Sequence, residues 1–305
     1  MERSSGQIVR TPSVSVVIAT YNRGRLLKET IESVLNQTFQ DFELIVVDDG
    51  STDDTEELLK SYGDHLRFLR QENRGPSAAR NLGVSHARAS WISIQDSDDI
   101  CAPDHLETLY SFAEKKPDVG MVFANGAYLG DPTGKTIIPQ EKSKRLANNG
   151  VQLTDLFTTS IVRLQAALLS KKALFAIGGL DENLRISMDL DLAFRFFMRF
   201  PIAYLDKVVF FYRRHEGNIG RNQELRLLEN LRVIEKLIQD FPSAAEILGR
   251  KQIDRRKAYR YYRLAKGRWK AGEEDGARNA LRQAVFLRPF FLKYRLYQLL
   301  GAIFR

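Results

Sequence analysis

Asp96, Ser97, Asp98 and Asp99 follow directly on the apolar run Trp91-Ile92-Ser93-Ile94-Gln95. Three carboxylates at the end of a buried strand repel one another and lose hydration, so they call for a compensating charge. Hard oxygen ligands suit a divalent cation, Mn²⁺ or Mg²⁺. The alternative is an acidic turn that simply stays solvated. A second acidic pair, Asp48-Asp49, closes the apolar run Phe42–Val47 and leads into Gly50-Ser51. Asp189 and Asp191 stand two residues apart in a helix-patterned stretch. Their side chains point about 200° apart around a helix, so both cannot face one pocket.

The elements that must position these groups alternate. Val14–Ala19, Phe42–Val47, Leu66–Leu69, Trp91–Gln95 and Val119–Ala124 read as strands; the stretches near Arg25–Asn36, Pro76–Arg88 and Pro103–Lys115 read as helices. Such alternation predicts a mainly parallel α/β sheet covered on both faces, which binds ligands at the carboxyl ends of its strands. Both acidic groups fall at such ends. Gly130–Gly150 is aperiodic and is expected to be a mobile loop, and a helix is expected over Asp189–Phe200. From Asn222 onward the pattern is helical, which places a domain boundary near Arg221: a flexible N-terminus over 1–13, a domain over 14–221 and a helical region over 222–305.

The 305 residues carry a net charge of +8, unevenly placed. Arg250–Arg305 holds 16 Lys and Arg against 4 Asp and Glu, a surplus of +12 that leaves −4 for everything before it. The basic tail implies an anionic partner, a membrane surface before nucleic acid, since no nucleic-acid module accompanies it. Cys101 is the single cysteine, which excludes an internal disulfide and suits a reducing cytosol. The polar Met1–Ser13 lacks a signal-peptide core, and no uncharged apolar run is long enough to span a membrane. Neither a Walker-type loop nor Gly-x-Gly-x-x-Gly occurs.

Four motifs occur in order: Val-Ser-Val-Val-Ile-Ala-Thr-Tyr-Asn-Arg (14–23), Val-Val-Asp-Asp-Gly-Ser-Thr-Asp (46–53), Asn-Arg-Gly-Pro-Ser-Ala-Ala-Arg-Asn-Leu-Gly (73–83) and Asp-Ser-Asp-Asp (96–99). Over roughly the first 220 residues the chain resembles the inverting family 2 glycosyltransferases. The resemblance implies a GT-A type, Rossmann-like mainly parallel sheet flanked by helices, here with a C-terminal all-helical extension. It implies transfer of a sugar from a nucleotide-diphosphate sugar to an acceptor hydroxyl, in the manner of hexosyltransferases, with Mn²⁺ or Mg²⁺ as cofactor.

Site residues follow from the same resemblance. Ala19, Tyr21, Asp48, Asp49, Arg80, Asp96 and Ser97 fall at nucleotide-sugar positions. Asp49 would accept the base imide N–H, favouring a UDP- or dTDP-sugar, while Asp48 can instead fix its turn. Arg80 would reach nucleotide or phosphate, or form a surface salt bridge. Asp98 is the expected direct metal ligand. His215, in Tyr-Arg-Arg-His-Glu-Gly-Asn-Ile (212–219), matches the late histidine that completes coordination or touches diphosphate. Ser-Met-Asp-Leu-Asp-Leu-Ala-Phe-Arg (187–195) resembles the family's Glu-Asp-x-Asp segment, with Met188 in place of Glu. Asp189 falls at the catalytic base, and Asp191 is then structural.

The acceptor is expected to be a glycan or lipid-linked sugar in surface polysaccharide or glycolipid synthesis. The setting expected is cytoplasmic, peripheral at the inner face of the plasma membrane. Leu264–Pro289 has the offsets of one tetratricopeptide-like hairpin, and the aromatic, basic stretch from Phe290 to Phe304 reads as an interfacial helix or as one buried against its neighbours. Two other classes stay open. A sugar-nucleotide nucleotidyltransferase would carry a Gly-rich basic segment where Thr20-Tyr21-Asn22-Arg23 stands. A non-catalytic binding protein would use the basic tail and leave the carboxylates idle.

Overall fold

The computed structural model describes residues 11–303, so the N-terminal segment up to Arg10 and the terminal Phe304 and Arg305 lie outside the described residues. The chain forms two compact units that interleave along the sequence. Among the described residues, one comprises 11–150, 163–182 and 200–213; the other comprises 151–162, 183–199 and 214–303.

The first unit is built on strands β1 (Val14–Thr20), β2 (Phe42–Asp48), β3 (Arg67–Arg70), β4 (Trp91–Asp96), β5 (Ile100–Cys101), β6 (Met121–Tyr128), β7 (Ala167–Ser170) and β8 (Ile202–Tyr212). They form one sheet in the order β3-β2-β1-β4-β7-β6-β8-β5. The β3-β2-β1-β4 half is parallel, β7 runs antiparallel to both its neighbours, and β6 and β8 are parallel. Strands covered on both faces bury nearly every side chain, which is why β1 and β2 are mostly apolar; their one internal polar pair is satisfied, Ser15 Oγ donating to Glu43 at 2.7 Å.

Helices α1 (Gly24–Leu35), α2 (Thr55–Ser61), α3 (Pro76–His86), α4 (His105–Glu114), α5 (Gln140–Asn149) and α7 (Lys171–Ala176) complete this unit, while α6 (Leu153–Thr158) belongs to the other. Leu27, Ile31 and Val34 recur at helical spacing on α1 and join Val16, Ile18, Val46, Leu106 and Leu109 in the core. Each such side chain contributes about 1.5–3 kcal/mol by leaving water. On α3, a Cβ added at Gly83 would overlap Val17 Cγ1, so the glycine lets the helix press onto the sheet.

The expected loop over Gly130–Gly150 is corrected: α5 occupies its second half. That helix is held chiefly by polar contacts, with Ser143 bonded to Tyr204 and Asp206 and only Leu146 as a deeply buried apolar anchor. Apolar periodicity is therefore faint. Strand β8 runs unbroken over its eleven residues, and its register against β6 shifts at Asn125.

The second unit contains α6, α8 (Met188–Arg199), α9 (Gln223–Asp240), α10 (Pro242–Leu248), α11 (Arg250–Lys270), α12 (Glu274–Leu287) and α13 (Leu292–Ile303). Buried alanines at 258, 265, 280 and 284 let α11 and α12 approach closely, and Gly272 turns between them with a φ of +79°. Tyr262 packs on Tyr294 and Tyr297 with ring centroids 5.1 and 5.2 Å apart. None of the described helices is long and apolar enough to cross a membrane.

Candidate active site

Parallel pairing brings the ends of β1, β2 and β4 level: Thr20 is paired with Asp48 and Ala19 with Asp96. Tyr21 follows β1 and is exposed. Asn22 takes a left-handed φ of +51°, which Asn tolerates better than most residues. Its N–H donates to Ser51 Oγ and its Oδ1 accepts from Thr52 N, both at 2.8 Å, tying the loops after β1 and β2 together.

Asp48 is fully buried, and its Oδ1 accepts the Ser51 N–H at 2.9 Å, so it fixes the turn. Asp49 accepts from Gln71 Nε2 at 2.7 Å, Arg74 N at 2.9 Å and Gly75 N at 2.8 Å. A carboxylate has about four acceptor positions, so one remains for a ligand. Asp49 thus sets the path into α3, which opens at Gly75 with a φ of +94° followed by Pro76.

The acidic cluster lies at the end of β4. Ligand atoms of Asp96, Asp98 and Asp99 all lie within 4.8 Å of one another. Asp96 is bound by Arg80, itself buried on α3, and by the Gln165 side-chain amide. Asp98 pairs with Arg23. Ser97 is buried in the turn between them. Asp99 Oδ1 accepts the Arg213 N–H at 2.9 Å, while its Oδ2 is buried with no hydrogen-bond partner. Burial and the charges of Asp96 and Asp98 push the Asp99 carboxyl up to about 9, against the opposing pull of the Arg213 N–H and Arg163. An orphaned buried oxygen and a carboxyl with suppressed ionisation are what an oxygen-ligand set shows when it lacks a cation. The residues fit a hard divalent metal.

Asp99 is anchored from the residue that follows β8. The Arg213 backbone holds it, and the Arg213 guanidinium donates to the Asp98 carbonyl at 3.0 Å and to Glu29 at 2.6 Å. Arg213 thereby braces the turn.

In the second unit, Asp189 lies in the first turn of α8 and is partly buried. Asp191 is buried, bonded to Arg195 Nε at 2.8 Å and paired with Lys236 at 3.2 Å, and so is structural. His215 is half-buried, and its N–H donates to Asn218 Oδ1 at 2.7 Å. Glu229 on α9 accepts the backbone N–H groups of Arg185, Ile186 and Ser187 at 2.8–2.9 Å, immediately before α8.

Sequence reading gave no role to Arg23, Gln165 or Glu229. Arg23 sits beside Tyr21 in a recognised motif, and its position was the available signal. Gln165 and Glu229 meet partners 69 and 42–44 residues away, and no local pattern announces them.

Residues 15–175 match the family model described as glycosyl transferase family 2. GlyG, a glycosyltransferase of Streptococcus pneumoniae serotype 4, is 32% identical over 222 residues, covering 69% of this chain and 73% of its own. An uncharacterised glycosyltransferase of Rickettsia prowazekii is 30% identical over 224 residues, 73% of this chain and 70% of its own. Among solved structures, residues 1–349 of TarS from S. aureus align with a TM-score of 0.68 at 21% identity, covering 91% of this chain and 81% of that one. The mannosyltransferase PcManGT from Pyrobaculum calidifontis, in complex with GDP-Man and Mn²⁺, aligns at 0.62 and 20% identity over 96% and 85%. At such identities the structural likeness speaks for the fold, which is of the GT-A type. From the family match and the curated relatives together, the chain belongs to glycosyl transferase family 2.

Proposed function

We propose that the protein is a metal-dependent, inverting glycosyltransferase that takes its sugar from a UDP- or dTDP-sugar. The observation that carries the reading is the convergence of Asp96, Asp98 and Asp99 at the sheet edge that also presents Ala19, Asp48 and Asp49. Neighbours of the same fold have been solved with UDP-GlcNAc and with GDP-Man and Mn²⁺, which supports a nucleotide-sugar donor.

In this reading the remaining acceptor position of Asp49 takes the base imide N–H, beside Ala19 and Tyr21. Asp48 and Ser97 shape the turns, and Arg80 and Asp96 hold the ribose and phosphate side. Asp98 and His215 would hold Mn²⁺ or Mg²⁺, which when bound supplies positive charge to the departing diphosphate. Asp189 takes the proton of the acceptor hydroxyl as its oxygen bonds to the anomeric carbon. The carbon–oxygen bond to the diphosphate breaks on the opposite face, and the nucleoside diphosphate leaves. The acceptor is a glycan or lipid-linked sugar of surface polysaccharide or glycolipid synthesis, on the cytoplasmic side.

A donor panel tests this. Purified protein with Mn²⁺ or Mg²⁺ and a suitable acceptor should release UDP or dTDP. Asp98→Ala and Asp189→Ala, prepared separately, should each lose turnover while keeping the fold by circular dichroism. Release from no donor, with or without lipid acceptors, would overturn the reading.

A further inference from the structure

Phe286, near the end of α12, and Phe290, in the turn before α13, are 81% and 94% exposed. Isolated apolar side chains in water are ordinary, but two phenylalanines four residues apart, each more than four-fifths hydrated, mark an interaction surface. Leu292 and Leu296, one helical turn apart on α13, extend the exposed apolar area. The neighbouring rings behave otherwise. Phe291, Tyr294 and Tyr297 pack with Tyr262 in the helical core, so folding already uses them and leaves Phe286 and Phe290 aside.

The charges here are all of one sign. Residues 276–305 contain six Lys and Arg and no Asp or Glu. Arg288 lies over the Phe291 ring at 4.6 Å, and Lys293 over Tyr262 at 5.4 Å, which keeps both cationic heads near the apolar knob. Among the described residues, Arg282, Arg288, Lys293 and Arg295 make no ion pair with an acid.

We propose that the α12–α13 turn docks on an anionic lipid bilayer, with Phe286, Phe290 and Leu292 entering the boundary between head groups and acyl chains. The cations around them then face lipid phosphates. An anionic bilayer is the one occupant that satisfies both halves of the surface. A second copy meeting it across a two-fold axis would bring like charges together. A nucleic acid would neutralise the cations yet leave Leu292 and Leu296 in water, since aliphatic side chains offer no stacking platform.

Flotation of the full chain with vesicles tests the proposal. It should float with vesicles containing about 30% phosphatidylglycerol and stay behind with pure phosphatidylcholine, and raising NaCl to about 0.5 M should weaken binding. A Phe286→Ser/Phe290→Ser variant should lose roughly 10- to 100-fold in partitioning, with its melting temperature unchanged. Absence of flotation with anionic vesicles, or equal flotation of the variant, would overturn the assignment. So would a lipid-free dimer that the variant dissolves, or RNA binding by wild type and variant alike without vesicle binding. The readout involves no turnover and stands apart from the donor assay.

Discussion

Arg23 and Asp98 form an ion pair that joins the loop after β1 to the turn after β4. The guanidinium therefore occupies a carboxylate oxygen of the residue proposed to bind the metal. Arginine cannot lose its proton, so a divalent cation at Asp98 must displace or repel it.

Two unit charges about 4 Å apart near a protein surface interact by about 4 kcal/mol, enough to tune cation affinity. Removing Arg23 should thus tighten metal binding in the absence of nucleotide. Arg23→Ala is expected to lower the Mn²⁺ dissociation constant about tenfold, and Asp98→Asn to raise it at least about tenfold. Titration followed by the electron paramagnetic resonance of free Mn²⁺ reads both. Unaltered affinity in Arg23→Ala would mean that the pair and the metal do not compete.

Glu229 carries a separate prediction. Its carboxylate receives three successive backbone N–H groups just before Asp189 enters α8. Glu229→Ala leaves those donors without their acceptor and should destabilise the protein by about 2–4 kcal/mol, seen as a lower urea midpoint. Because the same contacts set the start of α8, kcat should fall more than KM rises, and Glu229→Gln should recover part of the loss. An effect on stability with kcat untouched would confine Glu229 to folding.

The sequence made the parallel half of the sheet and its acidic edge legible for one reason. Strands buried on both faces are mostly apolar, so the carboxylates that end β2 and β4 stand out against Val46-Val47 and Ile94. The same contrast fails where polar contacts hold an element, as at Ser143 in α5. It fails too where a strand carries exposed residues at its centre, as Asp206 and Lys207 do in β8. The two-residue β5 is too short for any pattern. Within the site, side-chain types were readable but partners were not: Asp96 to Gln165, Asp99 to the Arg213 backbone, and Glu229 to the entry of α8 all depend on long-range closure. Interleaving of the two units is likewise invisible, because 151–162 and 183–199 read locally like the rest.

Gly83 offers a test of how packing places Arg80. An added methyl group would overlap Val17 Cγ1 and come within 3.2 Å of Val47 Cγ2. Gly83→Ala should push α3 off the sheet and cost about 1–3 kcal/mol, as overpacked cores do. Donor affinity should fall in parallel, since α3 carries Arg80 toward Asp96. Shortening the neighbour relieves the overlap, so Gly83→Ala/Val17→Ala should cost less than the sum of the single changes. Strict additivity in urea denaturation would rule out the contact as the cause.

His105 supplies a pH dependence with a definite sign. It is fully buried; Nδ1 lies 3.0 Å from the Val209 carbonyl and Nε2 3.1 Å from Gln95 Nε2. A carbonyl only accepts and an amide nitrogen only donates, so the ring is neutral with its proton on Nδ1. Burial is the main cause that holds it down at about 4, below the ordinary 6.5, while the Val209 bond and Asp104 pull the other way. The unfolded chain therefore takes up a proton first as pH falls. Stability is lost from about 6.5 down to about 4 and not further, a contribution of about 3 kcal/mol. Glu43 and Asp104, whose carboxyls are held low, add acid sensitivity of the same sign at lower pH, and this largely cancels between wild type and variant. His105→Gln should accordingly unfold in urea with a shallower loss of stability between pH 6.5 and 4 than wild type, the two curves converging by about 3 kcal/mol. Parallel curves over that window would show that His105 ionises in the folded protein as it does in water.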